Sequence, residues 1–84
     1  MRKVLDGKRY DTQTSVLLAH DDEYKGASVN LYRTQKGNYF VWRLEGSHDE
    51  VIPVDSMGAK ELYEKLGVQH SEYEDTFGVS PEEA

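Results

Sequence analysis

Two stretches of the chain alternate apolar and polar residues with a period of two. They are Ala27-Ser28-Val29-Asn30-Leu31-Tyr32-Arg33-Thr34 and Tyr39-Phe40-Val41-Trp42-Arg43-Leu44-Glu45, joined by Gln35-Lys36-Gly37-Asn38. Alternation on both sides of a glycine-containing turn predicts a β-hairpin. The expected register sets Val29 opposite Leu44, Leu31 opposite Trp42 and Arg33 opposite Phe40. That gathers apolar side chains on one face and leaves Tyr32 with Val41, and Thr34 with Tyr39, on the other. Slipping by one residue, to Val29 opposite Arg43 and Asn30 opposite Trp42, exchanges the faces, so burial is expected to select the first register. A third strand, Glu50-Val51-Ile52-Pro53-Val54, follows a turn over Gly46–Asp49. Pro53 has no N–H, which places that strand at an edge or ends it there.

The flanks predict helices. Val4 and Leu5 form a short strand closed by the Asp6-Gly7 turn. Asp11, with Thr12 as the alternative, is a good N-cap, and Val16, Leu17 and Leu18 supply an apolar side, so a helix is expected over 12–20. His20 to Gly26 reads as a loop. Asp55 or Ser56 caps a second helix whose Ala59, Leu62, Tyr63 and Leu66 recur on one face, with Gly67 at its C′ position. Tyr73 and Phe77, four apart, suggest a short acidic helical turn. The expected fold is therefore α+β, a single domain over 1–78. It is a small three-stranded antiparallel sheet flanked by an N-terminal and a C-terminal helix, followed by a frayed acidic tail over 79–84. Trp42, Phe40, Leu31, Val29 and Leu44 are expected to pack beneath Leu17 and Leu62.

Composition narrows this picture. A chain of 84 residues with 37% hydrophobic residues builds one thin core rather than a disordered segment. It has no cysteine, which excludes disulfides and thiolate metal sites and fits a reducing compartment. No apolar run reaches the length of a membrane span, and the start lacks the apolar centre of a signal peptide. The bacterial cytoplasm is the expected location, and a monomer the expected state. Charge is uneven: residues 1–44 hold eight Lys/Arg and five Asp/Glu, a net of +3, while residues 45–84 hold two Lys and eleven Asp/Glu, a net of −9. Such asymmetry acts on partner choice and association rate.

Reaction chemistry is hard to place. No nucleophile motif surrounds a serine, no glycine-rich phosphate loop or metalloprotease motif occurs, and the paired carboxylates fall in loops. His20-Asp21-Asp22-Glu23 and His48-Asp49-Glu50 resemble metal clusters in composition, but adjacent residues rarely converge on one ion, so no metal or cofactor is expected. Arg2, Lys3, Lys8, Arg9, Arg33, Lys36 and Arg43, with Tyr32, Tyr39 and Trp42, are scattered over strand, turn and tail. The whole-chain charge opposes phosphate, so direct nucleic-acid binding is not expected.

Two segments resemble a known group. Lys8-Arg9-Tyr10-Asp11-Thr12-Gln13-Thr14 resembles the K-x-Y-D-T-x-T-A opening of small proteins carried by bacterial plasmids, phages and other mobile elements. Leu31-Tyr32-Arg33-Thr34-Gln35-Lys36-Gly37-Asn38-Tyr39-Phe40 resembles their L-Y-R-T-x-K-G-x-[YF]-F segment, and Val51-Ile52-Pro53-Val54 with the Ala59-to-Leu66 helix is similar to their I-I-P-L strand and acidic closing helix. Ser15 stands where the pattern has Ala. Some proteins with this opening are anti-CRISPR proteins. The resemblance implies a non-enzymatic inhibitor that binds a Cas effector stoichiometrically and covers a basic DNA-binding surface, including one that reads the protospacer-adjacent motif. The expected contacts are Asp49, Glu50, Glu61, Glu64, Glu72, Glu74 and Asp75, with Asp55 nearby, and with Asp21, Asp22, Glu23, Tyr32 and Tyr39 as secondary candidates. Carboxylates along one face satisfy the Arg and Lys groups that otherwise hold nucleic acid. Two alternatives remain. One is an accessory protein that binds another host protein through Tyr32, Tyr39 and Val41 on an open sheet face, and the other is a nucleic-acid module using the basic half.

Overall fold

The computed structural model describes residues 1–80, 82 and 83, so part of the expected acidic tail, at 81 and 84, lies outside the described residues. The elements are β1 (Arg2–Leu5), β2 (Lys8–Asp11), β3 (Val16–Tyr24), β4 (Ala27–Arg33), β5 (Tyr39–Glu45), β6 (His48–Val54), α1 (Ser56–Lys65), β7 (Val68–Gln69) and α2 (Tyr73–Phe77). The chain is mostly sheet. Strands β6-β5-β4-β3-β7 make one five-stranded antiparallel sheet in that order, and β1 and β2 make a separate two-stranded hairpin. The expected three-stranded sheet between two terminal helices is therefore wrong, and so is the N-terminal helix.

That helix fails because its segment finds a non-local partner. Asp11 does behave like a cap: its Oδ1 accepts from Gln13 N at 2.9 Å, and its carbonyl accepts from Thr14 N at 3.3 Å. The turn is not continued. Thr12 N instead donates to Met1 O at 3.0 Å, extending the β1–β2 ladder. Val16 to Tyr24 then pairs with β4, running from Val16 opposite Arg33 to Tyr24 opposite Ala27. The turn between them is Lys25-Gly26, with φ of 52° and 84°. Positive φ at both central residues is what a two-residue type I′ hairpin turn requires, and Asp6-Gly7 repeats it at 51° and 75°. The expected loop over 20–26 is thus mostly strand. The β3–β4 register shifts between Leu17 and Ala19. This bulge lets two successive residues, Leu18 and Ala19, enter the same core cluster.

The central hairpin exists, but in the register rejected on sequence grounds. Val29 faces Arg43, Asn30 faces Trp42, Leu31 faces Val41, Tyr32 faces Phe40 and Arg33 faces Tyr39. The expected register presupposes one buried and one solvated face. Both faces are buried. On one, Val29, Leu31 and Val41 pack with Leu18, Ala19 and the helix residues Ala59, Tyr63 and Leu66. On the other, Phe40 and Val51 pack with Tyr10, flanked by Met1, Leu5, Tyr32 and Trp42. Phe40 and Leu31 are both fully enclosed, yet they belong to opposite layers. The single core expected from Trp42, Phe40, Leu31 and Val29 is divided by the sheet itself.

The C-terminal half follows expectation more closely. β6 is an edge strand, and Pro53 lies on it opposite Phe40. Asp55 caps α1, accepting from Gly58 N at 2.8 Å. Ala59, Tyr63 and Leu66 are buried, and Leu62 is half-buried. α1 carries the chain from one sheet edge to the other, where β7 pairs Gln69 with Ala19 and Val68 with His20. Gly67 follows the helix in an ordinary conformation. Its N donates to Asp21 Oδ2 at 3.1 Å, and a Cβ there would meet that oxygen at 3.2 Å, so a larger residue requires the Asp21 side chain to shift. In α2, Tyr73 and Phe77 pack edge-on against Tyr63 at 5.8 and 5.5 Å, and Phe77 lies tilted against Tyr39 at 5.7 Å. Arg33 Nη1 ties the helix to the sheet through the Thr76 carbonyl at 2.6 Å.

Two stability measurements check this layering. Phe40→Ala removes the centre of the hairpin-side core and is expected to cost about 3–5 kcal/mol in urea unfolding; a loss under about 1 kcal/mol would show that the β1–β2 hairpin is not seated on the sheet. Lys25 holds a left-handed conformation that a long side chain disfavours, so Lys25→Asn is expected to stabilise by roughly 0.5–1 kcal/mol in the same assay.

Candidate interaction surfaces

The fold converts a charge gradient along the chain into a charge difference across the sheet. Residues 1–14 cover one face, where Arg2, Lys3, Lys8 and Arg9 outnumber Asp6 and Asp11, a net of 4 − 2 = +2 side-chain charges. Residues 55–75 cover the other, where Asp55, Glu61, Glu64, Glu72, Glu74 and Asp75 outnumber Lys60 and Lys65, a net of 2 − 6 = −4. Opposite-sign faces held apart by a sheet present two different surfaces to partners.

Five of the seven expected acidic contacts share the helix layer. Glu61 and Glu64 lie on the exposed side of α1, because Ala59 and Tyr63 take its buried side. Glu72, Glu74 and Asp75 are exposed around α2. The two helices are fixed to one another by Tyr63, Tyr73 and Phe77, so these carboxylates sit on one braced platform. Asp49 and Glu50 do not join them. They lie on β6 near the Gly46-Ser47 turn, in an open cleft of about 770 Å³ that also meets Lys3, Leu5 and Arg43. Asp49 Oδ2 accepts from Trp42 Nε1 at 3.2 Å, and Arg43 pairs with Glu45 at 2.6 Å. That patch is of mixed sign.

The secondary candidates separate further. Asp22 and Glu23 are exposed at the far end of β3, whereas Asp21 is occupied with Gly67 N and Glu23 N. Tyr32 and Tyr39 point to opposite faces: Tyr32 stacks on Phe40 at 5.2 Å under the hairpin, and Tyr39 meets Phe77 under the helices. Val41 is buried on the helix side. These three residues do not form an open sheet face.

His20 and His70, far apart along the chain, meet in the fold. Their rings stack at 4.7 Å, with His20 Nδ1 and His70 Nε2 separated by 2.5 Å. β7 creates the pair by pairing with β3, a contact between residues fifty apart. Among the described residues, no three or more His, Asp or Glu side chains converge on a point that could hold a metal ion. No helix among them is long and apolar enough to cross a membrane.

Tyr63 is the titratable group most embedded beside the acidic platform. Burial raises its pKa above the ordinary tyrosine value, and the negative charge of Glu72 raises it further. Its hydroxyl donates to the Ser71 carbonyl. Burial also raises Tyr32. A folded-state pKa above the unfolded value means that the stabilisation is complete below about pH 10 and is lost as pH rises through the higher folded value. Stability is therefore expected to fall on the alkaline side of pH 10, in step with late tyrosinate absorbance at 295 nm. Tyr63→Phe is expected to remove a late step and flatten that fall, while lowering stability at neutral pH through loss of the bond to Ser71. An unchanged titration curve would contradict the burial argument. Protein-family models, curated proteins and solved structures all yield no match to this chain, so the surfaces themselves are the ground for a functional reading.

Proposed function

We propose that this chain is a non-enzymatic inhibitor that docks its acidic helix layer on a basic, nucleic-acid-binding surface of a protein partner. One observation carries the reading: Glu61, Glu64, Glu72, Glu74 and Asp75 are exposed together on two helices braced against one another, with only Lys60 and Lys65 among them. Lys60 is partly engaged, with its ammonium over the Phe77 ring at 5.9 Å. Carboxylates on a rigid platform form charge-assisted hydrogen bonds with Arg and Lys and need little reordering to do so. A guanidinium fork that grips base edges or phosphates grips a carboxylate in the same bidentate way. Occupying such a surface blocks nucleic acid by competition, with no bond made or broken. The mobile-element resemblance supports a Cas effector as the partner, and its surface that reads the protospacer-adjacent motif as the docking point. Asp49 and Glu50, set apart beside Lys3 and Arg43, contribute less.

Charge reversal tests this. Glu72→Lys, Glu74→Lys and Asp75→Lys together are expected to weaken binding to a purified effector at least tenfold by calorimetry and to restore its DNA binding. Raising salt is expected to weaken the wild-type complex in the same direction. Full affinity in the triple variant, with its circular dichroism spectrum intact, would reject the acidic-face reading.

A further inference from the structure

The two segments that carry the resemblance meet in space. Gly7-Lys8-Arg9-Tyr10 and Thr14, from the β1–β2 hairpin, line one side of a groove of about 500 Å³. Thr34, Gln35, Lys36 and Asn38, from the β4–β5 turn, line the other. We propose that this groove binds the phosphate backbone of a nucleic-acid strand.

Its lining holds three cations, Lys8, Arg9 and Lys36, and no carboxylate. All three are exposed, and none is in an ion pair among the described residues, where the one pair is Arg43 with Glu45. Beside Gly7 and Tyr10 the lining has Thr14, Thr34, Gln35 and Asn38, of which Thr34, Gln35 and Asn38 offer hydroxyl and amide donors to phosphate oxygens. The two carboxylates of the β1–β2 hairpin, Asp6 and Asp11, are outside the lining, and Asp11 Oδ1 accepts from Gln13 N. Both walls are braced by hydrogen bonds or packing. The turn is held by Thr34 N to Asn38 O at 2.8 Å and by Asn38 N to Thr34 Oγ1 at 3.0 Å. The hairpin is anchored by Tyr10, packed edge-on against Phe40 at 5.3 Å.

The fold also removes the objection from net charge. Glu61 and Glu64 belong to the helix that covers the opposite sheet face, and a screening length of about 8 Å at physiological salt weakens charges across that separation. One carboxylate comes closer: Asp75 lines the adjoining cavity with Lys36, while Arg33 in that cavity is committed to the Thr76 carbonyl. Tyr10 is buried, so no aromatic face is offered to a base. Binding is therefore directed at the backbone and is indifferent to sequence. Cations contributed by two separate elements suit a run of phosphates better than a single one.

The groove cations and the acidic platform are different residues, so Lys8, Arg9 and Lys36 are tested apart from Glu61, Glu64, Glu72 and Glu74; Asp75, which lines a cavity with Lys36, adjoins both surfaces. The test is fluorescence anisotropy of the full chain at about 50 mM salt with labelled single-stranded oligonucleotides of two unrelated sequences, competed by ATP and by inorganic phosphate. Equal binding of both sequences is expected. Affinity is expected to drop roughly twenty-fold between about 50 and 200 mM salt for three phosphate contacts. Lys8→Gln, Arg9→Gln and Lys36→Gln together are expected to abolish binding and the salt slope. Lys65→Gln, a single charge removed from the other side, is expected to change little, and Asp75→Asn to tighten binding. No binding at low salt, equal loss from Lys65→Gln, or competition by ATP or phosphate at concentrations matching the oligonucleotide would each overturn the proposal.

Discussion

Everything in this structure depends on the β4–β5 hairpin being buried on both faces. Leu31 and Val41 face the helices, while Phe40, on the next register pair, faces Tyr10 and the N-terminal hairpin. A small chain gains apolar contact by this arrangement that a half-exposed sheet does not offer. It needs cover on both sides. The first fourteen residues supply one cover and residues 55–77 the other, and because these segments differ in charge, two-sided burial alone produces a basic face and an acidic face.

The same constraint explains the elements that local sequence does not encode. Helix signals at Asp11 and Val16-Leu17-Leu18 are local, and they lose to a strand partner in β4, as weak intrinsic propensity commonly does in tertiary context. The turn that makes the pairing possible, Lys25-Gly26, places a lysine in a left-handed conformation, so its sequence signal is weaker than that of Asp6-Gly7. The bulge at Leu18 is legible only once the layer beneath it is known. α1 was legible because its cap, its apolar spacing and its end all agree. β6 was legible because proline is tolerated at an edge.

The candidate surfaces divide in the same way. Glu61 and Glu64, and Glu72, Glu74 and Asp75, were recognisable as exposed acids from helical spacing, and the helices keep them on one layer. Asp49 and Glu50 share their charge but not their location, because the β5–β6 hairpin carries them beside Lys3. The pairing of His20 with His70 and the groove between Lys8-Arg9 and Lys36 join residues distant along the chain. No periodicity announces such contacts.

By itself the sequence determined the local grammar: which stretches alternate, which turn residues permit a reversal, where α1 is capped, that no thiol chemistry exists, and that charge changes sign along the chain. Those properties are set by a residue and its near neighbours. Only the tertiary structure decided the strand register, the fate of residues 16–24, the division into two cores and the segregation of charge across the sheet. Each of these turns on what covers a face, and that cover comes from segments tens of residues away whose burial free energy local spacing does not encode.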